Sequence, residues 1–592
     1  MTNRTYTTST AFLEALAEAG VRYLFANLGS DHPDIIEALA QARADGREGE
    51  FPQLVVCPHE TVALSAAHAY AAVSGRPQAV LVHVDSGTQN LGGAVNNASR
   101  GRVPVLIFAG TAPATIEGEL RGSRNEFIHW LQDVPDQRGI LRNYVKYDNE
   151  LRTGRNVKQV VHRALQIAAS EPAGPVYLVA AREVMAEELE QRAADPALYS
   201  PVAPAALAGD VVAEIAGALA GARHPLIITS YLGRDPAAVP VLTGLAERLA
   251  IPVIESVPSH VSFPASHPLH CGYQWTTAGQ NPLLAQADVV LAVDSDVPWI
   301  HATSRPAADA VIYCIDADPL KAGMPMWHVP ARRFAAANSR IALGQLAGFL
   351  ARGAAPGGGP ADRAVAGAVV IDEAAVAARR AEITAYHDRQ RAAWAAAEEP
   401  PGDAITPAYL VACVRELLAG EDALVLSEAI TNYLTVNEHL RPDRPGSLLA
   451  SGGGSLGWAG GGAVGAKLAA PGRTVACLVG DGSYLFGVPS AAQWVARRYQ
   501  APALTVIFNN GGWQAPESSL LAVHPQGAAA AAGNFYGSFE PVADLAGIAR
   551  AAGGAHGAPV SDPAQLPGAL KEALAAVHAG RSAVLDVRVT SR

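Results

Sequence analysis

Two glycine-rich turns near the C-terminal end of the chain carry the residues best suited to chemistry. Leu478–Ser483 reads LVGDGS and Ile507–Trp513 reads IFNNGGW, and each motif ends an apolar run typical of a β-strand. The 26 residues from 483 to 508 leave room for one crossover helix and a return to the neighbouring strand. A carboxylate and amide oxygens would then meet at adjacent strand ends. Hard oxygen ligands of this kind suit Mg²⁺ or Ca²⁺ holding a diphosphate.

Each turn alone is also a common connector between strand and helix. Together, after matching strands and at this spacing, they resemble the cofactor motif of thiamin-diphosphate enzymes. The resemblance implies that Asp481, Asn510 and the backbone carbonyl of Gly512 hold Mg²⁺, while Asn509 supports the turn. It implies a diphosphate-binding set around the first motif, formed by Gly480, Asp481, Gly482 and Ser483.

The same family requires a glutamate near the aminopyrimidine ring of the cofactor. Glu60 follows a predicted strand and opens a predicted helix in VVCPHETVALSAAHAYA. A lone glutamate at a helix start is usually a capping or dipole residue. Beside the two turn motifs, Glu60 is instead the first catalytic candidate, because the family uses this carboxyl group to share a proton with the pyrimidine N1′.

A glycine run, Ser451–Lys467, has three competing interpretations. Gly452–Gly457 formally matches GxGxxG, but a lone match is weak and no clean Rossmann helix follows; the run also lacks the Lys-Ser/Thr ending of a P-loop. In the thiamin-diphosphate family, this segment places a backbone carbonyl and a bulky apolar residue against the cofactor. These roles fall on Gly454 and Leu456, and Trp458 is expected in the core. In LSEAITNY, Thr431 and the backbone of Ile430 are expected near the diphosphate.

Local matches are most similar to benzoylformate decarboxylase, over an acetolactate-synthase-like background. FANLGS (Phe25–Ser30) is similar to FGNPGS, which puts Asn27 near the diphosphate and Ser30 in the active site. It departs from that pattern at Ala26 and Leu28.

Two histidines and a glutamine complete the candidate catalytic set. VHVDSGTQN places His83 on the family's catalytic histidine, and DVPWIHA, more loosely, places His301 on the second. Their ordinary pKa near 6.5 suits proton donation at neutral pH. For His83 the catalytic interpretation is favoured over a core histidine, whereas for His301 a solvated loop position is an equal alternative. Gln132 falls on an acetolactate-synthase glutamine, and His129 has no clear counterpart.

Helical periods alternate with short β-rich runs along most of the chain, which predicts parallel sheets covered by helices. The predicted fold is α/β, with three doubly wound parallel-sheet domains. Residues 1–186 are predicted to bind the pyrimidine, residues 205–350 to form the central domain, and residues 400–592 to bind the diphosphate and Mg²⁺. Glu187–Asp210 is predicted to be a linker, and residues 351–363 a flexible connector.

Composition narrows the possible partners. The 592 residues carry a net charge of -11, with 49% hydrophobic and 17% charged residues, so no overall positive field attracts nucleic acid or an anionic membrane. No apolar run is long enough for a membrane span, and no secretory signal is recognised. The five scattered cysteines are expected in the core, and a cytoplasmic location is expected.

The function expected from the resemblance is thiamin-diphosphate- and Mg²⁺-dependent C–C bond cleavage or formation, most plausibly by a 2-oxo acid decarboxylase or carboligase. A 2-hydroxyacyl-CoA lyase and a non-catalytic thiamin-fold binding protein are the alternatives. The expected partners are a 2-oxo acid, aldehyde or acyl-CoA, and a second copy of the chain, in a homodimer or homotetramer with active sites at the subunit interface. ADP is possible in the central domain, where Asp316 ends a strand. FAD is not expected, and residues 514–540 are a candidate lid.

Overall fold

The computed structural model describes residues 6–276, 279–353, 369–400 and 402–590. Three six-stranded parallel sheets follow one another along the chain, with helices between their strands. The predicted α/β fold class is therefore confirmed. The exact domain boundaries stay a prediction.

The first sheet has the strand order β2-β1-β3-β4-β6-β5. The four central strands of this sheet are short apolar runs, buried almost throughout, as expected for parallel strands covered on both faces, whereas the two edge strands are partly exposed. The strands are β1 (Tyr23–Ala26), β2 (Gln53–Val56), β3 (Gln78–Val82), β4 (Val105–Thr111), β5 (Asp148–Leu151) and β6 (Val176–Ala181). The helices are α1 (Thr8–Glu18), α2 (Pro33–Ala44), α3 (Glu60–Ser74), α4 (Val84–Gln89), α5 (Gly92–Arg100), α6 (Ile128–Leu131), α7 (Val157–Ala169) and α8 (Arg182–Met185).

The second sheet has the order β12-β11-β10-β7-β8-β9. Its strands are β7 (Pro225–Thr229), β8 (Val253–Ser256), β9 (His270–Gln274), β10 (Val289–Val293), β11 (Val311–Asp316) and β12 (Arg333–Ala336). The helices of this part of the chain are α9 (Gly209–Gly221), α10 (Ala238–Leu249), α11 (Pro282–Gln286), α12 (Ser339–Gly353) and α13 (Glu373–Ala397).

The two predicted connecting segments have different outcomes. The linker predicted at Glu187–Asp210 has one short 3-10 turn, Pro196–Tyr199, and is otherwise irregular until α9 begins. Residues 351–353 of the predicted connector instead end α12. The rest of that connector, residues 354–363, lies outside the described residues.

The third sheet has the order β14-β13-β15-β16-β18-β17. Its strands are β13 (Ala423–Glu428), β14 (Leu448–Ala450), β15 (Thr474–Gly480), β16 (Leu504–Asn509), β17 (His556–Val560) and β18 (Ala583–Arg588). The helices are α14 (Pro407–Leu417), α15 (Tyr433–Leu440), α16 (Trp458–Ala469), α17 (Asp481–Phe486), α18 (Pro489–Arg498), α19 (Gln514–Val523), α20 (Ala528–Ala532), α21 (Leu545–Gly553) and α22 (Leu566–His578).

The chain forms two compact units. The first comprises residues 1–202, 420–430 and 451–592, and the second comprises residues 203–419 and 431–450. Both turn motifs, Glu60 and His83 belong to the first unit, whereas His301 belongs to the second. None of the helices in the described part of the chain is long and apolar enough to cross a membrane.

Close packing of α3 against α16 joins the first and third predicted domains within the first unit. A Cβ atom at Gly465 would lie 1.9 Å from the Ala66 carbonyl oxygen, and one at Gly461 would lie 2.7 Å from the Val62 carbonyl oxygen. Only glycine allows two helix backbones to approach this closely. Part of the glycine run therefore forms a helix–helix contact.

The cysteines behave as predicted from their apolar surroundings. All five are buried free thiols: Cys57, Cys271, Cys314, Cys413 and Cys477. Burial raises the pKa of the Cys57 thiol to about 12, and the others shift in the same direction. They are core residues and have the properties of small apolar side chains.

The α3–α16 contact predicts opposite effects of the same substitution at two helical glycines. Gly465→Ala should destabilise the protein by about 1–3 kcal/mol, because the methyl group overlaps a backbone carbonyl of α3. Gly217→Ala is the matched control, since a Cβ there meets nothing within 4 Å. It should be neutral or stabilising by up to about 1 kcal/mol, because alanine favours a helix over glycine. Urea unfolding measures both, and equal stability of the two variants would contradict the packing argument.

Candidate functional site

The two turn motifs meet where β15 and β16 end side by side. Gly480 pairs with Phe508 in the parallel register, so Asp481 and Asn509 leave adjacent strands at the same edge. The prediction that LVGDGS and IFNNGGW meet at adjacent strand ends is confirmed.

The Asp481 carboxylate holds the second turn in place. Asp481 Oδ2 accepts from the N–H groups of Gly511, at 2.9 Å, and Gly512, at 3.0 Å. Asp481 Oδ1 accepts from the Gly482 N–H at 2.7 Å. Burial raises the pKa of this carboxyl group, although the three backbone donors oppose the shift. The site therefore places a largely desolvated acid at the start of α17.

Three oxygen atoms converge at this edge. Asn510 Oδ1 lies 3.2 Å from Asp481 Oδ2 and 2.9 Å from the Gly512 carbonyl oxygen, while Asn510 Nδ2 donates to Gln514 Oε1 at 3.1 Å. Hydrogen bonding favours the turned amide, in which Nδ2 donates to Asp481 Oδ2 and to the Gly512 carbonyl oxygen while Oδ1 faces Gln514. A bound cation would instead require Oδ1 to face these two oxygens.

The convergent oxygens fit a small divalent cation. Magnesium binds oxygen at 2.0–2.1 Å in an octahedron, so neighbouring ligand oxygens lie about 2.9 Å apart. With Asn510 Oδ1 turned toward them, the separations of 2.9 Å and 3.2 Å from the Gly512 carbonyl oxygen and Asp481 Oδ2 would match that spacing. The described residues contain no group of three or more His, Cys, Asp or Glu side chains that could hold a metal ion. The set at this edge has only one carboxylate, and its other oxygens come from an amide and a backbone carbonyl. Because a single carboxylate would neutralise only part of the charge of Mg²⁺, the bound cation would keep a net positive charge that can bind a diphosphate.

A second layer of side chains supports the turn. Asn509 Oδ1 accepts from the Gly511 N–H at 3.1 Å, and Asn509 Nδ2 donates to Asp586 Oδ1 at 2.8 Å. Arg588 Nη1 also donates to Asn509 Oδ1 at 3.3 Å. Asn509 thus lies in the turn-supporting position expected from the sequence. Asp586 and Arg588 come from β18, and no motif in the sequence marks them as partners of Asn509.

Glu60 begins α3 and is 7% exposed. Its Oε2 accepts from Asn90 Nδ2 at 3.0 Å. A Cβ atom at Gly87 would lie 3.2 Å from Glu60 Oε1, so α4 passes close to the carboxyl group. The cap of α3 is His59, whose Nδ1 accepts from the Thr61 N–H at 3.2 Å. Because His59 caps α3, the Glu60 carboxyl group is not needed as the helix cap and can contact a bound ligand.

His83 lies between a carboxylate and an amide. Its Nδ1 is 2.6 Å from Asp31 Oδ1, and its Nε2 is 2.9 Å from Gln132 Oε1. Asp31 also accepts, through Oδ2, from the N–H groups of Val84 and Gly110. His83 and Gln132, both predicted from the sequence, are therefore brought together, and Asp31 is a partner that the sequence analysis missed.

Electrostatics favour the charged form of His83. Burial lowers the pKa of its imidazole, but the hydrogen bond and charge of Asp31 outweigh burial and raise the pKa above its ordinary value. Burial acts to raise the pKa of Asp31, and the neighbouring His32 and His83 lower it overall. Since both ring nitrogens of His83 face oxygen acceptors in this geometry, the imidazolium form satisfies both of them.

The remaining first-domain candidates lie close to these groups. Asn27 Nδ2 donates to the Cys57 carbonyl oxygen at 3.2 Å. The Ser30 hydroxyl is buried without a hydrogen-bond partner among the described residues. Gly29 lies against His83, since a Cβ atom at Gly29 would be 2.1 Å from His83 Nδ1. The FANLGS turn thus passes directly beside the imidazole.

The Gly454–Leu456 segment is held by α5 and by the end of β13. Asn97 Oδ1 accepts from the Ser455 N–H at 3.0 Å, and Gly454 has a positive φ of 73°. Glu428, fully buried, accepts from the N–H groups of Trp458 and Ala459 at 3.1 Å and 2.8 Å. Burial raises the pKa of Glu428 to about 7. Trp458 is 1% exposed, as expected for a core residue.

Ile430 and Thr431 lie on the 3-10 turn Ile430–Asn432, two residues after β13 ends. His301 lies in the second unit, where its Nε2 is 2.7 Å from the His328 carbonyl oxygen and its side chain is exposed. Asp316, the candidate ribose ligand, already accepts from Lys321 Nζ at 2.6 Å. The roles predicted for these four residues stay predictions.

The first unit thus contains two groups of candidate residues. One surrounds Glu60 and His83, and the other surrounds Asp481 and Asn510. Among the described residues, no hydrogen bond or ion pair joins a member of one group to a member of the other. Each group is half of the site that the sequence predicts.

Models of one family match most of the chain. The N-terminal thiamine pyrophosphate binding domain matches residues 6–140, the central domain of the same enzymes matches residues 212–332, and the C-terminal thiamine pyrophosphate binding domain matches residues 430–587. The chain therefore belongs to the thiamine pyrophosphate enzyme family. It is a thiamine pyrophosphate-dependent enzyme of the group that includes decarboxylases, synthases and acetyltransferases.

Two curated relatives with different activities have the same sequence identity to this chain. Sulfoacetaldehyde acetyltransferase of Castellaniella defragrans is 26% identical over 609 residues, covering 99% of this chain and 93% of the relative. Benzoylformate decarboxylase of Pseudomonas aeruginosa is 26% identical over 515 residues, covering 86% and 87%. The 4-hydroxybenzoylformate decarboxylase structure from Rhodococcus jostii RHA1 has a TM-score of 0.76 at 24% identity, covering 99% of this chain and all of that one, which shows the same fold.

The raised pKa of His83 predicts a pH-dependent contribution to stability. Protonated His83 stabilises the folded chain below the ordinary imidazole pKa of about 6.5, and this contribution is lost as pH rises through the raised folded value. His83→Gln should therefore lower the free energy of unfolding more at pH 6 than at pH 9, as measured by urea unfolding. Exposed His578 is the control, and His578→Gln should show a much smaller pH dependence. A pH-independent loss in His83→Gln would contradict the assignment.

Proposed function

We propose that the protein is a thiamin-diphosphate- and Mg²⁺-dependent enzyme that cleaves or forms a C–C bond beside a carbonyl, acting on 2-oxo acids as a decarboxylase or carboligase. The observation that carries the proposal is that Asp481, the Asn510 side-chain amide and the Gly512 carbonyl oxygen meet at one sheet edge, where Asn510 Oδ1 turned toward the other two would complete the spacing of magnesium ligands. Benzoylformate decarboxylase and acetolactate synthase among the relatives support the substrate class.

The C-terminal group would hold the metal and the diphosphate. Asp481, Asn510 and Gly512 would supply oxygen ligands, and the N–H groups of Gly482 and Ser483 at the start of α17 would face the diphosphate. The raised pKa of Asp481 reflects burial without a cation, and a bound divalent cation would favour the carboxylate form. Thr431 and the Ile430 backbone would complete the diphosphate site.

The Glu60 carboxyl group would exchange a proton with the aminopyrimidine nitrogen of the cofactor. When bound, thiamin diphosphate supplies a carbon nucleophile that adds to a carbonyl and then accepts the electron pair released by decarboxylation. Burial of Glu60, and its orientation by Asn90, would keep that proton exchange away from bulk water. Gly454 and Leu456 would contact the cofactor from the other domain.

His83 would be the proton donor. Its proton on Nδ1 is held by Asp31, so the proton on Nε2 is the one that can be transferred to a carbon or oxygen of the reacting substrate. Gln132 Oε1 accepts a hydrogen bond from this Nε2–H. That bond would break when the substrate displaces the amide oxygen. Ser30, with its unpartnered hydroxyl, would contact the substrate, and His301 would be a second proton donor.

The two residue groups lie in different thiamine pyrophosphate binding domains of the chain, residues 6–140 and 430–587. We infer that Glu60 of one chain and Asp481 of another face the same cofactor, so a homodimer is the smallest active form. Residues 514–540, which include α19 and α20, would act as a lid, since they follow the metal-binding turn directly.

Asp481→Asn tests the metal site. The neutral amide keeps the shape of the side chain but removes the anionic ligand, so affinity for thiamin diphosphate in the presence of Mg²⁺ should fall at least about tenfold. Isothermal titration calorimetry measures it, with EDTA-treated wild type expected to show the same loss. Asp544→Asn, which changes a capping carboxylate in the same unit, is the matched control and should bind normally. Unchanged affinity in Asp481→Asn would exclude this metal site.

Glu60→Gln tests the proton exchange. The variant should bind thiamin diphosphate nearly as well as wild type, yet release CO₂ from 2-oxo acids such as pyruvate and benzoylformate at least about a hundredfold more slowly. Glu37→Gln, an exposed glutamate on α2, should leave the rate unchanged. A Glu60→Gln enzyme of full activity would remove this mechanism.

Mixing the two inactive variants tests the shared site. A hybrid dimer of Glu60→Gln and Asp481→Asn chains contains one intact site if the two residues come from different chains. Random reassembly after mild dissociation should then restore about a quarter of wild-type activity. No recovery, with hybrid dimers verified by native mass spectrometry, would mean that both residues of a site belong to one chain.

A further inference from the structure

His129 lies in the same short segment as Gln132. His129 is part of α6 (Ile128–Leu131), and Gln132 follows α6 directly as its C-terminal cap. His129 is only 6% exposed, whereas Phe127 and Leu131 are each 76% exposed. Besides burial, the charge of His83 lowers the pKa of His129, so the two imidazole rings lie within electrostatic range of each other.

The ring of His129 has one satisfied nitrogen and one free nitrogen. Nδ1 accepts from the Asn125 N–H at 3.3 Å, which leaves the proton of the neutral ring on Nε2. Nε2 is buried and has no hydrogen-bond partner among the described residues. A buried donor without an acceptor is unfavourable in the free protein, and a ligand that supplies the acceptor removes this cost.

The surroundings of His129 are electropositive. Burial, Arg182, Arg124 and His83 all lower the pKa of His129, and Glu126 opposes them. Arg182 is buried and donates to uncharged acceptors: the carbonyl oxygens of Gly122, Ser30 and Ser123 and the side-chain oxygen of Asn125. Its positive charge is thus not neutralised by an ion pair among the described residues. An anionic acceptor would be favoured here over a neutral one.

Arg124 fixes the turn that carries both side chains. Its Nη1 donates to the His129 carbonyl oxygen at 2.6 Å, its Nε donates to the Pro113 carbonyl oxygen at 2.8 Å, and its Nη2 pairs with Asp133. The backbone on either side of Gln132 is therefore anchored. The His129 ring is pre-organised, which lowers the entropy cost of using it to bind a ligand.

We propose that His129 is a substrate-binding residue whose Nε2–H donates to the carboxylate of a 2-oxo acid bound beside His83; this inference depends on the proposed function. His129 binds and does not transfer its proton, whereas His83 donates one. The unpartnered Ser30 hydroxyl, whose carbonyl is held by Arg182, is the second donor available to the same carboxylate.

Two substitutions separate this role from packing. The Oδ1 atom of His129→Asn can take the place of Nδ1 as acceptor for the Asn125 N–H, but the side chain has no donor where Nε2 lies. The amide nitrogen of His129→Gln reaches that position and keeps the donor. The test measures KM and kcat on the holoenzyme for a 2-oxo acid, with pyruvate and benzoylformate as probes. It also measures KM for the matching aldehydes, acetaldehyde and benzaldehyde, in carboligation.

The proposal expects a carboxylate-specific effect. His129→Asn should raise KM for the 2-oxo acid about tenfold or more, while KM for the aldehyde changes less than about twofold and His129→Gln stays near wild type. Equal changes in both KM values, or no change, would overturn the proposal and return His129 to a packing role. If His129→Asn does not fold, His129→Ala provides the same comparison. Failure of wild type to turn over any 2-oxo acid would instead overturn the proposed function, which separates the two outcomes.

Discussion

The parallel pairing of β15 with β16 is the constraint on which the metal-binding half of the site depends. It places Asp481 and the Asn509–Gly512 turn at one edge, where the Asp481 carboxylate accepts two N–H groups of that turn. The turn is therefore shaped by the carboxylate that is proposed to bind the metal. A preformed arrangement of oxygens costs little reorganisation when a cation binds.

The second half of the site depends on a different contact, the packing of α3 on α16. The glycines of α16 let α3, the helix that begins at Glu60, pack closely against α16 at Val62 and Ala66. Asn96 and Asn97 of α5 bond the glycine-rich loop before α16 directly, through Gly453 and Ser455. The segment expected to contact the cofactor is thus held by the neighbouring domain of its own chain as well as by Glu428.

The sequence alone predicts those parts of the site whose residues lie close together along the chain. LVGDGS and IFNNGGW each contain a strand, a turn and a candidate ligand, so their meeting at one sheet edge follows from topology rules. Asp31 could not be found this way, because it meets His83 only when β1 and β3 pair, 52 residues apart. Asp586 likewise reaches Asn509 across 77 residues. The GSDH sequence at Gly29–His32 was the available signal, but nothing local marks Asp31 as a partner of a distant imidazole.

The buried thiols have a practical consequence. Cys57 and Cys477 lie in one compact unit, and Cys271, Cys314 and Cys413 lie in the other. Alkylation requires an exposed thiolate, so each cysteine reacts only when its surroundings open. Residue-resolved labelling rates would therefore report the opening free energy of each unit in the native protein, without any introduced probe.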